Sequence, residues 1–449
     1  MPLVVLLAVA GAAAFVIVDR DTSMTTPRAG TTTPAPARPQ VLAGLATAAP
    51  GPATGAVKAA LTAALRTLPG GEQVAGTVVD VTTGATLWSH HADTAVAPAS
   101  TLKLLTAAAA LRSLGPDYRF TTVTREIGNT VYLVGGGDPT LALTTSPSDR
   151  PVTYPVPATL SDLAAKTAAV LPPGQPVKLR ADSSGWSTPT LARGWNSGYV
   201  TEGDITPPSA LEVDGGRLRP AELDSPRTDN PATQAVEEFA TLLRKDGVTV
   251  QGQVSEHPAP STATAVASVS SPPLAAMVQR MLTDSDNDLA EALGRAVAIH
   301  DGQAPTFAGE VAAIGTEVGA LGVPAAELSL HDASGLSHDD TVLPAALVTV
   351  LRTAAAGTAG VLRPIVEGLP VAGFTGTLAG RYRGRNMSAG TGLVRAKTGS
   401  LVGDNALAGI VVDSSGRLLA FALLGSGTTE TDAVQTGLDQ MASALAAVT

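Results

Sequence analysis

The chain has 449 residues, with 39 acidic against 29 basic side chains, a net charge of −10 and no cysteine. That balance argues against a nucleic-acid partner, whose phosphates call for clustered Lys and Arg, and the lack of thiols removes disulfides, cysteine nucleophiles and cysteine metal sites. Hydrophobic residues make up 44% but aromatics only 3%, so the core of what should be more than one structural unit is built from Ala, Val and Leu.

Pro2 to Val18 is unbroken apolar sequence ending at Asp19-Arg20-Asp21, with no Lys or Arg before it. It is at the short limit for a membrane span and long for a signal-peptide core. Residues 1–21 are therefore expected to be an N-terminal anchor or signal, with the protein exported and residues 2–18 available as a membrane tether. Residues 22–54 carry Pro27, Pro34, Pro36, Pro39, Pro50 and Pro52 among Thr, Ala and Gly, without helical or strand period. Such a segment reads as an extended linker.

Globular texture begins at Gly55. Val57–Leu68 predicts an amphipathic helix, and Val74–Val81 with Thr86–Ser89 predicts a hairpin turning at Thr82-Thr83-Gly84. Pro98 then opens a helix on which Leu102, Leu105 and Ala109 recur, stopped by Gly115-Pro116. Ser100 and Lys103 are three apart and share one face of it. A hydroxyl beside an amine at the positive end of a helix is the outline of an activated nucleophile.

Residues 117–268 differ, with short strand-like runs, many Pro and Gly, and few long periodic helices. Tyr132 to Pro139 reads as a strand ending in a glycine turn, since no Lys-Ser/Thr follows Gly135-Gly136-Gly137 to make a phosphate loop. Trp186, Trp195 and Tyr199 read as local packing. Helical texture returns at Pro272, with Leu274, Met277, Val278 and Met281 in one stripe, broken at residues 283–288 and resumed from Leu289 to Ile299. His331 to Asp340 lacks the spacing of a calcium loop and reads as a turn before a helix near Pro344. Leu393–Lys397, Ala406–Val412 and Leu418–Leu424 predict an antiparallel meander, closed by a helix over Thr431–Ala447. Helices and antiparallel strands at both ends predict one α+β unit, 55–116 with 269–449, whose sheet is assembled from distant pieces of chain and into which 117–268 is inserted.

No serine has glycine at both flanking positions of a Gly-x-Ser-x-Gly elbow, and the six histidines have no obvious serine partner. The Ser/Lys pair has companions instead. Of the six lysines only Lys103 follows a serine by three. Ser285-Asp286-Asn287 supplies Ser-x-Asn, and Lys397-Thr398-Gly399 supplies Lys-Thr-Gly on a predicted strand. The three elements together resemble those of β-lactamases and penicillin-binding proteins. With Leu133 to Pro139, Ala290-Glu291, Asp332 to Ser337 and Gly376-Thr377-Leu378, the chain is similar over residues 55–449 to low-molecular-mass class C penicillin-binding proteins, the D-alanyl-D-alanine carboxypeptidase/endopeptidases.

That resemblance implies a penicilloyl serine transferase fold, an antiparallel sheet flanked by helices, with a large and mainly β insertion. It implies an exported serine DD-peptidase that trims peptidoglycan peptides, is inhibited by β-lactams, and uses no cofactor or metal. Ser100 would form an acyl ester, and Lys103 would take its proton, its pKa lowered by burial and by the charge of Lys397. Ser285 would relay a proton to the leaving amine, and Asn287 would hold the substrate amide. Lys397 and Thr398 would face the terminal carboxylate, and Gly399 would admit the substrate strand. Ser400, where the family often has Thr, would lend its N–H to an oxyanion hole shared with Ser100. A β-lactamase or esterase of the same superfamily is the alternative, and a non-catalytic wall-binding or penicillin-sensing protein is another.

Overall fold

The computed structural model describes residues 54–449, except 69–70, 145–153, 187–190, 223, 358 and 428–430. The expected anchor and nearly all of the expected linker lie outside the described residues.

Helix α1 (Thr54–Thr67) precedes strands β1 (Val74–Asp80) and β2 (Thr86–His90). Their hairpin is pinned where the Asp80 carboxylate accepts the Thr83 N–H at 2.7 Å. A 3-10 turn, Ala99–Leu102, leads into helix α2 (Lys103–Ser113). The expected helix at Ser100 is thus corrected, because the α-helix starts one turn later. Ala99 adopts φ +45°, and the Thr101 N–H and hydroxyl both bond the Pro98 carbonyl, at 3.1 and 2.6 Å.

The second region holds β3 (Thr121–Ile127), β4 (Thr130–Val134), α3 (Leu160–Ala168), β5 (Lys178–Asp182), α4 (Tyr199–Glu202), α5 (Pro231–Lys245), β6 (Ser255–Glu256) and β7 (Thr264–Ser270). Its strands form a five-stranded sheet in the order β6-β5-β4-β3-β7. Thr121 on β3 lies opposite Ser270 on β7, so the chain leaves and rejoins the first unit at adjacent points. Leu160, Leu163, Val236, Phe239 and Leu243 of α3 and α5 pack on Val131, Leu133 and Leu179. Helix α5, 15 residues long, departs from the expectation of few long helices here. Pro231 opens it, and Ala232, Val236, Phe239 and Leu243 follow at helical spacing.

The chain then runs through α6 (Leu274–Asp284), α7 (Asn287–His300), α8 (Phe307–Gly319), β8 (Leu328–Ser329), β9 (Thr341–Val342), α9 (Pro344–Ala355) and α10 (Arg363–Gly368). It closes with β10 (Val394–Leu401), β11 (Asp404–Val412), β12 (Leu418–Gly425) and α11 (Thr431–Ala446). The second five-stranded sheet has the order β10-β11-β12-β1-β2, with β1 antiparallel to β12.

Alternation along β11 and β12 makes this sheet the middle of three layers. Ala406, Ala408, Ile410, Ala420, Ala422 and Leu424 join the core built with α2, α6, α7 and α9. Leu407, Val411, Leu419, Phe421 and Leu423 join the core built with α1 and α11. Both faces are covered, which is why these strands are nearly continuous apolar runs. Helix α2 is buried from Lys103 to Leu111, and its four successive alanines let neighbouring helices come close. The fold is α+β, and its edge strand β10 is left beside the start of α2.

Candidate active site

Three pieces of chain meet where β10 passes the Ala99–Leu102 turn. Gly399 is the contact point. A Cβ there would lie 2.7 Å from the Pro98 carbonyl oxygen and 3.0 Å from the Ala99 Cβ, so glycine is what lets the strand touch the turn carrying Ser100. This close approach is a role for Gly399 beside the expected one of making room for a substrate strand.

Lys103 is fully buried, and its Nζ donates to Ser100 Oγ at 3.0 Å, Asn287 Oδ1 at 2.6 Å and the Ser334 carbonyl at 2.6 Å. Asn287 reaches it because α6 and α7 break at Ser285-Asp286. Ser285 sits at φ +61° as the C-cap of α6, and the Asp286 carboxylate caps α7 by accepting the Leu289 N–H at 3.0 Å. A non-glycine residue at such a φ is strained by about 1–2 kcal/mol; Ala99 and Ser285 on either side of the cleft both have it. The Asn287 amide N–H donates to the Asp204 carbonyl at 2.9 Å, tying the second region to the cleft.

The second lysine is equally buried but differently partnered. Lys397 Nζ donates to Ser285 Oγ at 2.9 Å and to the Thr398 carbonyl at 2.6 Å. The Thr398 hydroxyl donates to Thr377 Oγ1 at 2.8 Å. The Ala396 N–H bonds the Pro370 carbonyl at 3.0 Å, away from β11. Strand alternation then turns the N–H groups of Thr398 and Ser400 to the same edge, away from β11. The Ser400 hydroxyl itself lies 3.5 Å from Asn405 Oδ1.

Burial lowers the Lys103 pKa to about 8, against the opposing pull of Asp332, Glu291, Asp286 and Asp288. Lys397 is held well below the ordinary lysine range, first by burial and then by the charges of Lys103 and Arg381. Burial lowers Lys103 as expected, the charges that act most on it being carboxylates, and the repulsion between the two lysines shows chiefly as a lowering of Lys397. Ser285 is bonded to Lys397, not to both lysines as the relay expectation had it. A cavity of about 530 Å³ opens beyond Ser285 and Asn287, between Gly376-Thr377 and Asp204, Arg217 and Arg227 of the second region.

The chain matches the D-Ala-D-Ala carboxypeptidase 3 (S13) family over residues 57–225 and 224–448. It belongs to that family. Among relatives of this peptidase family, it is 38% identical over 402 residues to the carboxypeptidase DacB of Mycolicibacterium smegmatis, covering 88% of this chain and 85% of the relative. It is 31% identical over 436 residues to a D-alanyl-D-alanine carboxypeptidase of Actinomadura, covering 78% and 77%. The fold is that of penicillin-binding protein 4 (dacB) from Haemophilus influenzae, with a TM-score of 0.71 at 23% identity over 85% of this chain and 97% of that one. This S13 peptidase is a serine D-Ala-D-Ala carboxypeptidase, a hydrolase acting on peptidoglycan peptides.

Motif reading missed contributors that have no residue signature or no recognised role: the Ser334 carbonyl, the Thr377 hydroxyl and the Asp204 carbonyl. It also took the aromatic cluster for local packing. Trp195 Nε1 instead donates to Asp332 at 2.6 Å, and the Tyr199 hydroxyl to the Leu336 carbonyl at 3.3 Å. Both reach from the second region onto the loop between β8 and β9.

Proposed function

We propose that Ser100 is the nucleophile and Lys103 its general base in cleaving the bond between the two terminal D-alanines, and that β-lactams inhibit the enzyme by acylating Ser100. The observation that supports this best is Lys103 Nζ at 3.0 Å from Ser100 Oγ, with burial lowering the amine to about 8. Neutral Lys103 takes the hydroxyl proton as Ser100 Oγ bonds to the carbonyl carbon. Such a positioned base is worth about 10²–10⁴-fold. The oxyanion meets the N–H groups of Ser100 and Ser400, each donor worth about 3 kcal/mol in sites of this kind. As the C–N bond breaks, the Lys103 ammonium gives the proton to the leaving nitrogen, beside the Ser285 hydroxyl that Lys397 holds. Water then cleaves the acyl ester.

Lys397, with the Thr398 and Thr377 hydroxyls, receives the terminal carboxylate, and Asn287 receives the peptide amide. The cavity beyond Ser285 has room for a leaving group larger than alanine, which supports endopeptidase action on cross-links beside carboxypeptidase action. We also infer export, with residues 2–18 as signal or tether, from the apolar N-terminal run and a substrate outside the cytoplasm. A β-lactam complex of the Haemophilus influenzae protein suggests the test. A fluorescent penicillin should label the wild type and leave Ser100→Ala unlabelled; labelling of the mutant at the wild-type level refutes the assignment. Rapid turnover of the penicillin would favour a β-lactamase instead.

A further inference from the structure

A neutral amine keeps two N–H bonds and one lone pair, and catalysis needs that lone pair on Ser100. Of the three partners of Lys103 Nζ, the Asn287 Oδ1 and the Ser334 carbonyl can only accept, whereas the Ser100 hydroxyl can also donate. With both obligate acceptors in place, the two N–H bonds are spent on them and the lone pair is left facing the Ser100 proton. The position of one backbone carbonyl, that of Ser334, is thus part of the base.

The peptide bearing that carbonyl is gathered by one buried carboxylate. Asp332 is fully buried, and its Oδ1 accepts the N–H groups of Ser334 at 3.1 Å and Gly335 at 2.6 Å. Its Oδ2 accepts the Ser337 N–H at 2.8 Å and Trp195 Nε1 at 2.6 Å. Four donors on one carboxylate are the pattern of an ionised acceptor. The loop it shapes lies against the nucleophile: a Cβ on Gly335, at φ +79°, would fall 1.9 Å from the Ala99 carbonyl oxygen. Thr106 on α2 holds the Ala333 carbonyl at 2.6 Å, and Glu291 on α7 holds the Ala333 N–H at 3.1 Å. Three of the donors to Asp332 come from its own loop. The fourth comes from the inserted region.

We propose that Asp332 is a positioning residue for the Lys103 base, fixing the Ser334 carbonyl so that the lone pair of the amine points at Ser100, and that Trp195 makes the inserted region part of this device. The proposal rests on the assignment of Ser100 as nucleophile and Lys103 as base. The charged groups facing Lys103 are Asp286, Asp288 and Glu291 from the start of α7, Asp332 from the loop, and Lys397 from β10. Asp332 is itself faced by Glu291 and by the buried Asp340 just before β9, whose carboxyl is pushed up to about 11 by burial and by Asp332 and so stays protonated against it. Asp332 is first among the carboxylates holding the proton on Lys103, so removing its charge lets that proton go at lower pH.

The test is the acylation rate by a fluorescent penicillin, across pH, for wild type, D332N and W195F, with S100A as reference. Asparagine matches the shape of Asp332 but has one acceptor oxygen, so two of the four donors lose their partner. D332N is expected to lower the plateau rate by roughly tenfold or more and to move the acidic limb of the profile to lower pH. Poor packing alone would not produce that pair of changes. Trp195 packs edge-on against Phe307 with centroids 5.4 Å apart, so W195F keeps an aromatic ring there but loses the N–H together with one of the two fused rings; a drop of a few fold in acylation with a small fall in melting temperature is expected. Folded D332N with the wild-type plateau, or with an unmoved acidic limb, overturns the proposal. Where D332N does not fold, W195F decides, and wild-type acylation by it overturns the proposal equally. Labelling of S100A would instead overturn the underlying assignment of the nucleophile.

Discussion

The turn and helix from Ala99 to Ser113 and the strand from Val394 to Leu401 each bury a lysine completely beside a serine, yet the two environments are opposite. Lys103 lies among four carboxylates, which resist the pKa drop that burial imposes, and it settles at about 8. Lys397 has cations for neighbours, which add to the lowering that burial imposes. The same side chain is thus prepared for two tasks. Lys103 has the environment that the proposed base needs near working pH, whereas Lys397 has no carboxylate bonded to it among the described residues, as the proposed receptor of a substrate carboxylate needs. Residue type supplies the amine, and the charges around it assign the role.

The most direct way to break this contrast is to remove each amine in turn. Lys103→Ala should slow acylation by about 10²–10⁴-fold, the usual worth of a positioned base, measured by fluorescent penicillin under pseudo-first-order conditions. Lys397→Ala should cost less, roughly tenfold to a hundredfold on a D-Ala-D-Ala peptide, as for a lost hydrogen bond to a charged group. A larger loss in K397A than in K103A would reverse the two roles.

Proton bookkeeping sharpens the comparison. Because Lys397 is held well below its ordinary range by burial and by Lys103 and Arg381, binding of a substrate carboxylate should raise its pKa and take up a proton. Calorimetry on S100A with a D-Ala-D-Ala peptide, in buffers of different ionisation enthalpy, should show that uptake, and adding K397A should remove it. For Lys103 the sign is the reverse. The base works when neutral, so acylation should fall as pH drops below about 8, by about tenfold per unit at the steepest. A flat rate between pH 6 and 9 would contradict the assignment.

Gly399→Ala tests the contact between the two segments rather than either lysine. Its Cβ would sit 2.7 Å from the Pro98 carbonyl oxygen, so the nucleophile turn must shift. Acylation is expected to fall by roughly tenfold while circular dichroism stays native. Lys58→Ala marks the bottom of the scale. Lys58 is exposed on α1, and its loss should leave acylation unchanged.

Much of this site was legible in the chain because its chemistry needs particular side chains. Ser100, Lys103, Ser285, Asn287, Lys397 and Thr398 stand in motifs of fixed spacing, and each is joined to another of them by a hydrogen bond. The β11–β12 meander was legible because both faces of those strands are covered, which forces unbroken apolar runs. Less legible was the start of α2, where the left-handed Ala99 replaces a helical turn and no residue type announces it. Helix α5 has a regular stripe, but it lies amid long loops that dilute its period. Trp195 and Tyr199 were recognised as packing residues, while the loop they pack on lies about 140 residues further along the chain, at separations of 137 in each case.

By itself the sequence determined which groups are available: a hydroxyl, two amines, an amide and a glycine that permits close approach. Local spacing sufficed for that, since a motif and its period are properties of neighbouring residues. Tertiary structure alone decided how those groups behave. The partners of Lys103 come from 184 and 231 residues away, and one of them is a backbone carbonyl that any residue could have supplied. Burial, the sign of the surrounding charge and the direction of a lone pair depend on distances between such remote segments, and those distances exist only once the helices, the sheet and the inserted region have packed together.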